Sequence, residues 1–539
     1  MNINKKLAVA VSGAVLLMAG QFALADSTTD IVDALVGKGV LTEEEGKLIS
    51  KGHDTQKKAA PVIKEKDGAF SISSPNGKNS IQLTGRMHFD YKNSNINEFG
   101  NSDPAYAFGN DTDSKSAADH FSMRRARIGV KGRIDGVADY LILANVQGSA
   151  ILDEAFLDIN KYEALGLKFG KFKQPLNLEI MTSSNNIDFN ERSYNSQNVP
   201  EKKFGAMLHG EVKGGTYAGS IFQNNDAALS QKDDDISFAG RGTLNFAEFV
   251  DNKDVVAHFG VNGFTSSYQI LPETTGNTSD SMSDKTRGTI FSYTSGGAGL
   301  ANMIRAQIGG EMSDGKTGST PQNGYHVQAP STSLVNNRKA GIEGAIAVNN
   351  FKVQAEYGQA YWDASTPNKT TESIRADVNT WYAEALWTLT GEKYADSYKK
   401  GAWGMLKPKD EYNLETGGGW GLWELGLRVD EVNMRGGSMT SADDNTRFQG
   451  SVTKSTGSID SCKVAADCKS VSGGATSYTA GIKWVLNPNL LFKANYTYTK
   501  YDEAFAPIDI GTASALRTAG NMKLMDHEDL LMIRGQYMF

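Results

Sequence analysis

The last ten residues constrain this chain most. Leu531, Ile533, Gly535, Tyr537 and Phe539 share one side of an extended strand, and Leu530, Met532, Arg534, Gln536 and Met538 share the other. Successive side chains of a strand point to opposite faces. One face therefore ends in alternate aromatics and a terminal Phe, while the other carries polar and flexible groups. That pattern fits the closing strand of a membrane barrel, with lipid on one face and a wet lumen on the other. The opposite end of the chain agrees. Asn4-Lys5-Lys6 reads as a basic n-region, Leu7 to Leu17 as an apolar h-region, and Ala23-Leu24-Ala25 as a small-residue cleavage site. Residues 1–25 are therefore expected to be a signal peptide.

Composition supports a barrel over a soluble multidomain protein. The chain has 539 residues, yet no apolar stretch approaches the ~20 residues of a membrane helix. The only visible boundary lies near residue 66, which divides a helical N-terminal segment and linker (26–66) from one long region (67–539). That region is rich in Gly, Asn, Thr, Tyr and Phe and poor in Pro, as a protein with a wet lumen and a lipid-facing wall must be. The net charge of −7, about −9 once Lys5 and Lys6 are removed, argues against a general nucleic-acid partner. It leaves ion selectivity open, because permeant ions respond to the constriction rather than to the total.

In the N-terminal segment Ile31, Leu35 and Val36 form a helical stripe broken by Gly37 and Gly39. Thr42 and Glu45 then stand where a capping box opens a second helix. The pair is too small to bury a core alone and is expected to associate at the periplasmic barrel mouth or with a neighbouring subunit. Two-residue alternation begins at Ile81 and recurs in 140–147, 154–160, 339–348, 351–358, 381–390 and 423–430. It is clearest in the hairpin 478–501, which turns at Asn487-Pro488-Asn489. Polar stretches near 93–118, 268–288, 313–337 and 434–475 read as extracellular loops. Roughly 470 residues at a strand-plus-loop pitch of about thirty give about sixteen strands, and bacterial barrels have even counts. Cys462 and Cys468, in a polar segment with no nearby His, predict a loop disulfide in an oxidising compartment rather than a metal site.

The chemistry concentrates in Met123 to Ile134. Arg125, Arg127, Lys131 and Arg133 share one parity, and Ala126, Ile128 and Val130 the other. Charges face hydrocarbon only at high cost, so the bases should line the lumen. Same-face residues lie ~7 Å apart along a strand, which makes a ladder that anions descend in steps. The alternative is a structural brace in which these bases pair with Glu154, Asp158, Glu343, Glu356, Glu384 and Glu424, which also take lumen parity. No His spacing suggests a nucleophile and base, so an enzyme is not expected. No cofactor is implied.

Several segments resemble the phosphate-selective porin O and P family. They are Phe121-Ser-Met-Arg-Arg-Ala-Arg-Ile-Gly-Val, Leu152-Asp-Glu-Ala-Phe-Leu, Leu167-Lys-Phe-Gly-Lys-Phe-Lys-Gln-Pro and Leu178-Glu-Ile-Met-Thr-Ser-Ser. Phe189-Asn-Glu-Arg-Ser, Tyr382-Ala-Glu-Ala-Leu-Trp-Thr-Leu-Thr-Gly-Glu, Trp423-Glu-Leu-Gly-Leu-Arg and Gly535-Gln-Tyr-Met-Phe belong to the same resemblance. It implies a sixteen-stranded, homotrimeric outer-membrane channel for small anions, phosphate-like ones above all. By position, the family's arginine ladder looks similar to Arg86, Arg124, Arg125 and Arg241, with Arg124 off parity and in need of a bulge or a strand-end position. The stretch after Gly170 resembles the constriction loop, with Thr182, Ser183 and Ser184 offering hydroxyls and Asp153 near by. Phosphate-selective members carry a lysine directly after the Leu-Glu of that loop, whereas this chain has Ile180. Arg127 and Lys173 stand where those members have tyrosines, and Lys171 keeps the neighbourhood basic. The competing expectation is a general or organic-solute porin with little anion preference.

Overall fold

The computed structural model describes residues 27–49, 51, 60–66, 68–95, 119–147, 151–224, 236–270, 288–297, 302–308, 312–313, 326–327, 333–365, 373–440, 447–449, 451–454, 468–505 and 525–539. The signal-peptide reading and Cys462 fall outside these residues. The chain divides into two compact units, residues 1–65 with 70–81, and residues 66–69 with 82–539.

In the smaller unit, helix α1 (Ser27–Gly37) ends before Gly39, which adopts φ 70°. Residues 43–49 are again helical. The expected capping box forms. The Glu45 N–H donates to the Thr42 hydroxyl at 3.2 Å, and the Thr42 N–H donates to the Glu45 carboxylate at 2.9 Å. Val32 is buried, and a Cβ on Gly46 would meet Val36 at 2.6 Å, so the two helices pack closely there.

The larger unit is a closed antiparallel barrel, to which the described residues contribute sixteen strands. They are β1 (Ser80–Ser94), β2 (Asp119–Ile134), β3 (Ala138–Asn145), β4 (Ile151–Tyr162), β5 (Leu165–Lys173) and β6 (Lys202–Val212). Then follow β7 (Gly215–Gln223), β8 (Ser237–Asn245), β9 (Val255–Ile270), β10 (Ser333–Val348) and β11 (Phe351–Ser365). β12 (Ser373–Thr388), β13 (Leu422–Thr440), β14 (Cys468–Asn487), β15 (Leu490–Phe505) and β16 (Met525–Met538) complete the wall. Each strand from β2 to β16 is hydrogen-bonded to the next. β16 closes on β1 in a register that sets Arg534 opposite Asp90 and Gln536 opposite His88. Gly85 and Phe539 exchange backbone hydrogen bonds of 3.0 and 3.2 Å, so the terminal residue itself completes the ring. Beside β1, the Phe121 ring of β2 packs on Phe89 and Tyr91, with centroids 5.6 and 4.9 Å away.

The expected faces are observed. Leu531, Ile533 and Tyr537 are exposed on the outer wall, while Leu530, Met532, Arg534 and Gln536 are buried inside. Along β11 and β12 burial alternates almost without a break. At one end the turns are mostly short, as at Asp135-Gly136, both with positive φ, and an aromatic girdle rims them. Phe351 stacks on Trp387 at 5.5 Å and Trp423 on Trp484 at 5.0 Å. Long connections gather at the other end, which is extracellular by the rule for bacterial barrels.

Three features depart from the expected pattern. The polar stretches 434–440, 468–475 and 333–337 are strand rather than loop. Their Gly and Ser residues continue the ladder because a long antiparallel partner pairs them. Secondly, the loop-end interior beside β10–β15 is apolar. Ile290, Phe291, Tyr293, Met303 and Ile304 pack there against Trp362, Ile374, Val378, Val432, Met434 and Tyr501. These residues come from a small sheet, 288–294 with 302–308, that lies against the inner wall. Finally, the connection 389–421 folds inward from the turn end.

Gly85 is a sensitive point of closure. A Cβ there would collide with the Phe539 ring and stand 2.8 Å from the Arg127 carbonyl oxygen. Gly85→Val is expected to lower the fraction of heat-modifiable, folded barrel on unheated electrophoresis, whereas Gly219→Val, where the space is open, should not.

Candidate functional site: the constriction

Residues 174–201 leave the wall at the end of β5, enter the lumen, and return at β6. Within them lie a single helical turn (Leu178–Met181) and a 3-10 turn (Tyr194–Ser196). Backbone taken away from the sheet must find other partners, and here the far wall supplies them. The Tyr194 N–H donates to Asp430 at 3.0 Å and its hydroxyl shares a 2.6 Å hydrogen bond with Ser477. The Glu179 N–H donates to Glu356 at 2.8 Å, and the Asn195 amide donates to the same carboxylate at 3.0 Å. Lys493 donates to the Ile187 carbonyl, and Arg428 donates to that of Glu191 at 3.1 Å.

Two ionic clamps dominate. Asp188 lies between Lys352 at 2.6 Å and Lys483 at 3.2 Å. Glu191 receives Arg534 at 2.8 Å, and the same guanidinium holds Asp90 through two hydrogen bonds of 2.7 Å. Burial alone would raise both loop carboxyls. Lys352 and Lys483 overcome it at Asp188, and Arg124, Arg534 and Arg125 overcome it at Glu191, so both groups stay well below the ordinary carboxylate range.

The opposite side, β1 to β6, carries most of the bases singled out in the sequence. Arg86 donates to the Ser184 hydroxyl at 2.9 Å. Phe121 is outward and so is Ile128, which has the opposite parity. The alternation therefore changes phase between them, and adjacent Arg124 and Arg125 both turn to Glu191, at 2.8 and 3.9 Å. Arg127 meets Asp153 at 3.0 Å. Asp153 is the extra residue where the β3–β4 register shifts between the Leu143–Glu154 and Ala144–Leu152 pairs, and such a bulge re-aims a side chain. Lys173 donates to the carbonyls of Ile180 and Thr182 at 2.7 and 3.2 Å. Lys171 is buried with its ammonium 5.6 Å from the Phe204 ring. The Ser183 hydroxyl accepts from the Asn185 N–H at 3.3 Å. Lys131 is exposed and has no ion pair among the described residues.

Two of the selected bases lie apart. Arg133 sits at the turn end, donating to Asp139 at 2.7 Å and to the Gly136 carbonyl at 3.0 Å. Arg241 pairs with Glu343 at 2.6 Å and donates to the Gly401 carbonyl at 2.6 Å. Gly401 belongs to the inward turn-end segment, which sequence reasoning missed because it lacks alternation. Trp403 of that segment donates its indole N–H to Gln354 at 2.6 Å and its backbone N–H to the Thr182 hydroxyl at 3.3 Å. Lys352 lies over the Trp403 and Tyr394 rings at 4.5 and 5.0 Å. The two inward segments thus meet at Thr182.

Also missed were Arg192, which donates to Glu201 at 3.1 Å and the Thr182 carbonyl at 3.1 Å, and Lys202, which reaches Asp153 and, at 3.0 Å, Glu154. Their signal was faint, since Arg192 lies outside any strand and Lys202 begins one. A cavity of about 320 Å³ opens among Arg127, Asp153, Lys171, Glu201, Lys202 and Lys203. Ile180 is buried beside Leu176, Phe222, Ala239 and Phe264, and contributes only its carbonyl to the polar network. No group of His, Cys, Asp or Glu among the described residues could hold a metal ion.

Removing the Asp188 charge tests the clamp. Asp188→Asn leaves buried Lys352 without its carboxylate, while Lys483 keeps Glu424 at 2.6 Å, and a broken buried pair costs roughly 3–5 kcal/mol. Single-channel records should then show larger conductance with added flicker. The pH dependence has a definite sign. Because the Asp188 and Glu191 pKa values are depressed, their anchoring is complete at neutral pH and is lost only as pH falls through those depressed values. Wild-type conductance noise should therefore stay flat from pH 7 down to about 4, the ordinary carboxylate range.

Comparison with known proteins adds three findings. The model of the family described as phosphate-selective porin O and P matches residues 81–283 and 321–539. Porin O of Pseudomonas aeruginosa is 26% identical over 456 residues, 82% of this chain and 87% of that protein. Among solved structures, OmpT of Vibrio cholerae aligns with a TM-score of 0.42 and 8% identity over 86% of this chain and 98% of that one. An anion-selective porin from Comamonas acidovorans aligns with a TM-score of 0.42 and 8% identity over 86% of this chain and 100% of that one.

Proposed function

Since this chain belongs to the phosphate-selective porin O and P family, we propose that its basic inner wall lets small anions, phosphate-like oxyanions first among them, diffuse passively across the bacterial outer membrane. As a member of that family it is an outer-membrane porin, a channel rather than an enzyme. The observation that carries the finer reading is the asymmetry of the constriction. Lumen acids on the far wall are engaged: Asp430 and Glu356 hold the loop backbone, and Glu424 pairs with Lys483 of the wall at 2.6 Å. Arg86, Arg125, Arg127, Lys131, Lys173, Arg192 and Lys202 gather on the other side. In a narrow, poorly screened space such a field repels cations and concentrates anions. Arg124, Lys171, Arg133 and Arg241 would add to the field at longer range. Ser183, Ser184 and Thr182 supply the loop's hydroxyls.

One observation favours weaker discrimination among anions. The donors of Lys173 and Arg192 are spent on loop carbonyls and Glu201, and Ile180 supplies no charge. A general porin with little selectivity is the second reading, and it rests on the pairing of Arg127 and Lys202 with Asp153. We also propose a homotrimer and a cleaved signal at residues 1–25. The strands β3–β8, of 8 to 12 residues, form the low side of the wall that neighbouring subunits would cover.

Reversal potential across a chloride gradient in a planar bilayer, followed by phosphate titration, tests the reading. Anion selectivity with phosphate block is the expected result. Selectivity without block would leave an anion channel lacking a phosphate site, and a potential near zero would establish the general porin instead. Sedimentation in detergent is expected to give three chains per particle.

A further inference from the structure

The outer wall carries a second group of bases, unconnected with the lumen. On β10 the outward residues Val348, Ile346, Ile342 and Ala340 are exposed, and the next outward charge is Arg338. Its guanidinium lies 4.5 Å from the ring centre of Tyr361 on β11. The pairing register places Arg338 beside Tyr361, and Tyr361 beside Asp377 on β12. One rung further on, Arg375 stands opposite Asp363 and Ser438. On β13 the ladder skips a residue between the Val378–Met434 and Asp377–Gly436 pairs. That residue is Arg435, exposed in the bulge. Three guanidinium groups therefore occupy one outward patch across four neighbouring strands.

Height above the girdle fixes what they meet. Phe351, in the turn-end girdle, and Tyr361 lie ten residues apart on the same face of β11. That is roughly 33 Å along a strand, and roughly 25 Å along the barrel axis at the usual tilt, which is the height of the apolar band. The arginines thus emerge at the opposite interface, at headgroup level on the loop side. Their charge is only partly answered by protein. Arg375 lies 3.5 Å from Asp363 with 63% of its side chain exposed, and neither Arg338 nor Arg435 has an ion pair among the described residues. Asp377 and Glu431 share the face and separate the bases without pairing with them. Arginine suits this position because its planar fork matches phosphate oxygens and its stem packs along apolar wall.

We propose that Arg338, Arg375 and Arg435, with Tyr361 as platform, bind the phosphate groups of phosphorylated lipids in the outer leaflet. The patch lies on β10–β13, away from the short strands β3–β8, and so remains in contact with lipid in an oligomer covered on that low side. A phosphorylated lipid held there would brace the long half of the wall from outside.

The test uses the full-length protein in detergent, titrated with bisphosphorylated lipid A and, separately, with lipid A stripped of phosphate. Binding is read by native mass spectrometry. Wild type should retain the phosphorylated lipid preferentially. Each Arg→Ala change should weaken retention about fivefold, from ~1 kcal/mol per basic residue near a charged leaflet. The triple variant R338A/R375A/R435A should lose the preference while its chloride conductance stays at the wild-type value, which reports an intact fold. If the triple variant inserts poorly, R338A alone gives the same readout. Equal retention by wild type and variant would overturn the proposal. So would displacement of the lipid by millimolar inorganic phosphate, which would mark a free-anion site.

Discussion

Arg534 holds two carboxylates at once, Asp90 on the adjoining strand and Glu191 on the inward loop. The strand-to-strand pair lies where the barrel closes, and the strand-to-loop pair lies where the pore narrows, so one buried guanidinium serves both. A buried charge costs several kcal/mol to desolvate and is tolerated only when it is paired and hydrogen-bonded. Each nitrogen of Arg534 is answered, Nη1 by the Asn190 carbonyl. Removing either acid would leave Arg534 with one carboxylate in place of two.

The charge map of the lumen follows from that anchoring. Far-wall acids and lysines are occupied in holding the loop, through Asp188, Glu191, Glu179 and the loop backbone. The bases on the β1–β6 side are tied less completely. Arg86 meets a hydroxyl, Arg127 shares Asp153 with Lys202, and Lys131 reaches open space. The loop occupies the far-wall charges, while Arg86 and Lys131 on the other side have no carboxylate partner among the described residues. The turn-end segment contributes in the same way, since it draws Arg241 toward Gly401 and Glu343 and away from any continuous ladder.

Most of the wall is legible in the sequence, because a two-residue period forces Leu531, Ile533 and Tyr537 out and Arg534 and Gln536 in. Parity also puts Arg86, Arg125 and Arg127 on the inner face, and Arg124 joins them where the alternation changes phase. What remained hidden depends on contacts between residues far apart in the chain. Nothing local announces that Asp188 will meet Lys352 and Lys483, or that residues 389–421 will turn inward where neighbouring connections are tight. The apolar lining from Ile290 to Trp362 was hidden for the same reason. Strand periodicity reports which face a residue takes, and it is silent on whether water or another segment covers that face.

On the proposed reading, the β1–β6 bases set selectivity while Asp188 and Glu191 only hold the loop. Reversal potential in a potassium chloride gradient distinguishes these roles when two variants are compared, Arg125→Glu/Arg127→Glu and Asp188→Asn/Glu191→Gln. The first variant should lose or reverse the anion preference at nearly unchanged conductance. The second should keep the preference while conducting more. Unchanged selectivity in the first variant, or a lost preference in the second, would show that these bases do not set selectivity.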